Sequence, residues 1–149
     1  MGCREHTTEQ ACNLFEHTKD LYGESKYREA IDILLHLLEY HCDCIAEWYI
    51  KKLLGLCYYY IDDNQKSIEY LESAKQLIVE SEGDGEKLNR LMILDQLGAA
   101  YYEMENDHKS LENYQIAESL LHHYRQDGLF VELYLFHLRK GRTHLSLHQ

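Results

Sequence analysis

The sequence predicts an all-α protein, a solenoid of three helical hairpins closed by a seventh helix, on three observations. The 149 residues include no proline and only 8 glycines, residues that punctuate loops and sheets far more than helix interiors. Apolar residues recur at the i, i+3, i+4, i+7 spacing of one buried helix face. One stretch also repeats another at a constant offset of 43 residues, and a period near 40 that carries two helices marks a solenoid.

The first helix is expected from Thr8 to Tyr22, with Ala11, Leu14, Phe15 and Leu21 as its apolar positions. Gly23 stands where a left-handed turn would end it. The second runs from Lys26 to Tyr40, carries Ala30, Ile31, Ile33, Leu34, Leu37 and Leu38, and has Ser25 before it as an N-cap. So short a connection makes the pair antiparallel. Ile45 to Ile61 and Gln65 to Glu80 form the next pair across the break Asp62-Asp63-Asn64. Glu82-Gly83-Asp84-Gly85 reads as a loop by composition, with the connection spanning about 82–86. Leu88 to Met104 and His108 to Tyr124 form the third pair, with Asn106-Asp107 as turn and cap. After Gln126-Asp127-Gly128 comes Leu129 to Leu147, a final unpaired helix that seals the array.

The repeat is exact in register. Leu54-Gly55 falls on Leu97-Gly98, Tyr58-Tyr59 on Tyr101-Tyr102, Lys66-Ser67 on Lys109-Ser110, and Ala74 on Ala117. A further 43 residues reaches Gly141, and Ala30 precedes Ser67 by 37. Small residues at these positions suit helix crossings that only a small side chain permits, while Tyr58, Tyr101, Leu34, Leu71 and Tyr114 fill the remaining volume. The chain therefore reads as one domain over 1–149, with repeats near 11–44, 48–81 and 91–124 and a cap near 129–147.

Charge and cysteine usage narrow the function classes. A net charge of −11, with the Lys and Arg residues scattered, offers no basic stripe for phosphates and no polybasic patch for anionic lipid. Direct nucleic-acid and membrane partners are not expected. Five cysteines, Cys3, Cys12, Cys42, Cys44 and Cys57, are odd in number and irregular in spacing, and no signal-peptide pattern opens the sequence. A cytoplasmic location follows as the expectation. Met1-Gly2-Cys3 lacks the Ser or Thr at position six that N-myristoylation needs, since His6 stands there.

The repeated positions resemble the tetratricopeptide repeat, whose pattern of aromatic, Leu-Gly and Tyr on one helix and Ala, aromatic and Ala on the next is matched by two segments. These are Trp48, Leu54-Gly55, Tyr58, Ser67, Leu71 and Ala74, and then Leu97-Gly98, Tyr101, Ser110, Tyr114 and Ala117. The first repeat is degenerate, with Thr18 at the glycine position, and the proline that ends each family repeat is missing. The spacing exceeds the usual period of about 34. It is similar to a long-helix subgroup found in bacterial cytoplasmic peptide-pheromone receptors, in regulatory domains of some transcription activators, and in eukaryotic polarity adaptors.

This resemblance implies a right-handed α-solenoid that binds rather than catalyses, with the first helix of each hairpin lining a concave groove for a peptide or partner helix. Groove positions carried over from the family are Phe15, Lys19 and Tyr22, then Tyr49, Lys52, Tyr59 and Tyr60, then Met92, Asp95 and Tyr102, with Leu138 and Arg142 on the last helix. Tyrosines offer rigid apolar area with a hydrogen-bonding tip, although some of the 13 are expected to pack between helices instead. Phe15 and Leu56 occupy two positions at which the carboxylate-clamping subgroup has Lys or Asn, which argues against that ligand.

Other chemistries find little support. His41-Cys42-Asp43-Cys44 is the densest cluster of metal-ligand types, but no second spaced pair accompanies it, and His144 and His148 lack an acidic partner. No nucleophile elbow, P-loop or Gly-rich strand-to-helix turn occurs. The expectations are no enzyme activity, no metal and no cofactor. Leu129, Phe130, Leu133, Tyr134, Phe136 and Leu138 put more apolar area on the last helix than one packed face needs, so a homodimer through that helix is expected.

Overall fold

In a computed structural model of the protein, which describes residues 8–40, 43–78 and 83–126, the amphipathic segments form six α-helices and, among the described residues, no strand. They are α1 (Thr8–Gly23), α2 (Tyr27–Tyr40), α3 (Glu47–Tyr60), α4 (Asn64–Ile78), α5 (Asp84–Glu103) and α6 (Asp107–Gln126). The all-α class and the helical-hairpin order match the sequence expectation. The seventh helix, Leu138, Arg142, the final 127–128 break and the apolar residues invoked for dimerisation lie outside the described residues, as do Met1-Gly2-Cys3, His41, Cys42, His144 and His148.

The chain divides into two compact units, Met1–Ala74 and Lys75–Gln149. In the first, α1 packs on α2 and α2 on α3. Its core holds Ala11, Phe15 and Leu21 of α1, Ala30, Leu34 and Leu37 of α2, and the run from Leu53 to Tyr58 on α3. In the second, α5 packs on α6, and Leu91 and Leu94 pack with Tyr114, Ala117, Leu121 and Tyr124.

The three hairpin turns share one backbone solution. Ser25, Asp62 and Glu105 are left-handed, with φ of 62°, 66° and 60°. Around each, two backbone bonds close the end of the preceding helix. Lys26 N–H donates to the Leu21 carbonyl and Ser25 N–H to that of Tyr22. Asp63 and Asp62 donate in the same way to Tyr58 and Tyr59, and Asn106 and Glu105 to Tyr101 and Tyr102. This is the Schellman closure, which satisfies carbonyls orphaned at a helix end. Two expectations are corrected here. Gly23 ends α1 without left-handed geometry, and Ser25 takes that role instead of capping α2. The reason is the closure itself, which needs two residues between the helix end and the next cap, so the chain runs past the glycine. The capping position falls to Lys26, whose carbonyl accepts the first bond of α2 from Ala30. At the equivalent positions Asp63 and Asn106 do cap, with their Oδ1 atoms accepting from Lys66 and Lys109 N–H at 3.2 Å each.

The small residues at the crossings act as a pair. Ser67 Oγ donates to the Gly55 carbonyl at 2.7 Å, and Ser110 Oγ to the Gly98 carbonyl at 2.6 Å. A Cβ added at Gly55 would stand 2.5 Å from Leu71 Cγ, and one at Gly98 would stand 2.5 Å from the Tyr114 ring. Glycine therefore admits both the facing side chain and the serine hydroxyl. In the first hairpin Thr18 and Ala30 replace that pair, and the Thr18 hydroxyl turns back to the Leu14 carbonyl of its own helix at 2.8 Å. The lysine after each cap also repeats, lying over a buried tyrosine ring: Lys66 over Tyr58 at 5.3 Å and Lys109 over Tyr101 at 5.4 Å.

A further correction concerns α5, which begins at Asp84 rather than Leu88, so that most of the expected 82–86 loop is helical. Lys87 N–H closes the first turn on the Gly83 carbonyl, and Asn89 Nδ2 donates to that of Gly85. The early start follows from the length of α6, whose last turns present Leu121 and Tyr124 for Leu88 and Leu91 to cover. The extra residues of the 43-residue period thus enter at the start of α5: Gly98 is the fifteenth residue of its helix and Gly55 the ninth.

Candidate partner-binding site

On α1, Phe15, Lys19 and Tyr22 stand at i, i+4 and i+7 and so share one face, while Tyr49 and Lys52 share a face of α3 at i, i+3. The first unit brings these side chains into two adjoining groups. In one, the Phe15 and Tyr49 rings meet edge to face at 5.1 Å, with Trp48 stacked on Tyr49 at 5.2 Å. Lys19 Nζ lies 5.3 Å from the Phe15 ring and 5.9 Å from that of Tyr49, and Lys52 Nζ lies 4.5 Å from the Tyr49 ring. Two ammonium groups therefore converge on one aromatic pair. In the other group Tyr22 meets Tyr60 and Tyr27 edge-on at 6.1 and 5.6 Å, Tyr27 stacks on Tyr60 at 5.0 Å, and Tyr59 meets Tyr60 edge-on at 5.4 Å.

Burial differs sharply within this set. Phe15 and Lys52 are 6% and 5% exposed, whereas Tyr60 is 48% exposed; Lys19, Tyr22, Tyr49 and Tyr59 are half-buried. Burial, with Lys19 as a second positive charge nearby, pulls the Lys52 ammonium down to about 8. Lys19 shifts the other way, chiefly through its hydrogen bond to Glu16, with which it forms an ion pair at 2.9 Å. Burial first, and the Tyr60 hydroxyl next, push the Tyr22 hydroxyl up. The arrangement offers flat apolar faces, hydroxyl tips and two cations, a combination that can hold an extended segment bearing aromatic or acidic side chains.

Met92, Asp95 and Tyr102 lie on α5 in the second unit, all half-buried. Tyr102 borders a surface depression of about 440 Å3 that is also lined by Glu103, Glu105 and Asp107. Partial burial and then the carboxylates of Asp107 and Glu103 push its hydroxyl up. Two contributors to the first-unit cluster were not singled out from sequence as binding residues. Trp48 precedes a chosen tyrosine and is the sole tryptophan, which was the available signal. Tyr27 opens α2, a second helix of its hairpin, and carried none. Among the described residues no group of three metal-ligating side chains occurs, and no helix is long and apolar enough to cross a membrane.

The repeated Gly–Ser crossings and identical turns place the hairpins in one structural class, and comparison with protein families agrees. The tetratricopeptide repeat model matches residues 44–121, more than half the chain. The protein belongs to the tetratricopeptide repeat family, whose repeats generally mediate protein–protein interaction. Comparison with curated proteins finds no match.

Proposed function

We propose that the protein is a non-enzymatic interaction module, and that Lys19, Tyr22, Tyr49, Tyr59 and Tyr60, backed by the buried Phe15 and Lys52, form its contact surface for a peptide or partner helix in the first unit. The observation that carries this reading is the convergence of two lysines on the Phe15–Tyr49 pair, one of them buried with its ammonium destabilised. An acidic partner side chain would meet cations there, and an aromatic one a ring face. Met92, Asp95 and Tyr102 are proposed as contact residues of the second unit in their own right. The proposed partner is a protein or peptide, acting without a cofactor.

Selection from a random-peptide display library on the intact chain tests this. Enriched sequences should combine carboxylates with apolar residues and bind Tyr49→Ala more than tenfold more weakly, with the helical circular dichroism retained. Equal binding to wild type, Tyr49→Ala and Lys19→Ala would contradict the assignment. A second reading has the same surface sensing a peptide in a regulatory domain of a bacterial transcription regulator or pheromone receptor. The 43-residue period and the 20-residue helices α5 and α6 favour it. Peptide binding would then change the oligomeric state in sedimentation.

A further inference from the structure

Three described cysteines are free thiols in very different settings. Cys57 is fully buried in α3, and burial pushes its thiol up to about 12, which leaves it inert. Cys12, half-buried on α1, and Cys44, exposed between α2 and α3, are accessible. They also lie close together. Cys44 Sγ stands 4.0 Å from the Thr8 carbonyl in the first turn of α1, one helical turn before Cys12. Two thiols 32 residues apart in sequence therefore share one small space on the surface of the first unit. The nearby Cys12 side chain also raises the Cys44 thiol, second only to partial desolvation.

We infer that Cys12 and Cys44 form a reversible dithiol–disulfide pair, a covalent staple that ties the first turns of α1 to the turn entering α3. The oxidant class is a low-molecular-weight disulfide such as oxidised glutathione. The Cys44 thiolate attacks one sulfur of it, making a mixed disulfide and expelling a glutathione thiolate, which takes up the proton that Cys44 released. The Cys12 thiolate then attacks the Cys44 sulfur, closing Cys12–S–S–Cys44 and expelling the second glutathione, which is protonated in turn. Two protein thiols are oxidised and one disulfide becomes two thiols. The bridge lies one turn from Phe15 on α1 and just ahead of Tyr49 on α3, and the inference stands whether or not those residues bind a partner.

The experiment equilibrates the intact chain in glutathione buffers from fully reduced to fully oxidised, quenches with acid, alkylates, and maps the digested peptides by mass spectrometry. A Cys12–Cys44 cross-linked peptide, two hydrogens lighter than its parts, should rise with the oxidised fraction and vanish on reduction. It should persist in a Cys3→Ser/Cys42→Ser variant, and the oxidised protein should melt at a higher temperature than the reduced one. Cys12 and Cys44 recovered separately, each alkylated or carrying glutathione, would overturn the inference. So would cross-links that chiefly join either residue to Cys3 or Cys42.

Discussion

Lys52 is the side chain whose setting departs most from what its type dictates. It sits in the middle of α3 among Leu53, Leu54 and Leu56, all buried, and is itself 5% exposed. Its ammonium falls from an ordinary 10.5 to about 8. Between those values the unfolded chain binds the proton and the folded chain does not, so stability rises with pH across the window and the penalty is complete below about 8. At about 1.36 kcal/mol per unit the full shift corresponds to roughly 3 kcal/mol, less about 0.5–2 for the ring contact with Tyr49. Lys52→Met should therefore stabilise the protein by about 1–3 kcal/mol at pH 7, with the gain shrinking as pH climbs from 8 to 10.5. Urea unfolding of both proteins at matched pH checks this, because the alkaline titrations of Cys57 and Tyr22 affect both alike. A gain independent of pH would refute the assigned cause. Neighbouring tyrosines give a second contrast at this scale. Tyr58 and Tyr101 are buried, at 7% and 9% exposed, so alanine there should lower stability by about 3 kcal/mol. Tyr59 and Tyr102 are half-buried, so alanine there should lower it by less than about 1.5. Thermal melts of the four variants decide it.

Among the elements, the turns repeat more faithfully than the side chains do. Three Schellman closures follow one pattern although their left-handed residues are Ser25, Asp62 and Glu105. Glutamate pays most for that conformation and aspartate less, since a short polar side chain tolerates it. Glu105→Gly should thus raise stability by up to about 1 kcal/mol, and Asp62→Gly by a smaller amount, as measured by urea midpoints. At the crossings the sign reverses. Gly98→Leu must displace the Tyr114 ring and loosen the Ser110 hydrogen bond, so a loss of about 1–3 kcal/mol or more is expected. A calorimetric melt unchanged from the parent would show that the crossing is not closely packed. These crossings were legible from the sequence, because the Gly–Ser pairs recur at a fixed offset. The left-handed residues were not, because nothing in their chemistry announces the conformation, and Gly23 nearby pointed to the wrong position.

For the whole molecule, the fold class and hairpin order were readable from periodicity and repetition, which report burial directly. The start of α5 was not, since composition marked Gly83 to Gly85 as loop while the extra length of α6 supplied apolar surface that drew the helix back to Asp84. The candidate site was legible in part. The resemblance to the family's repeat pattern picked out Phe15, Lys19, Tyr22, Tyr49 and Lys52, but not the depth of Lys52, nor the entry of Trp48 and Tyr27 into the clusters. Depth depends on how neighbouring helices cover a position, and that is a property of packing rather than of one helix. The central claim is that the lysines around Phe15 and Tyr49 serve binding rather than folding. It is tested most directly by titrating a display-selected acidic peptide into wild type and Lys52→Met at pH 7. The account predicts at least tenfold weaker binding by the more stable variant; equal affinity in the two proteins would contradict it.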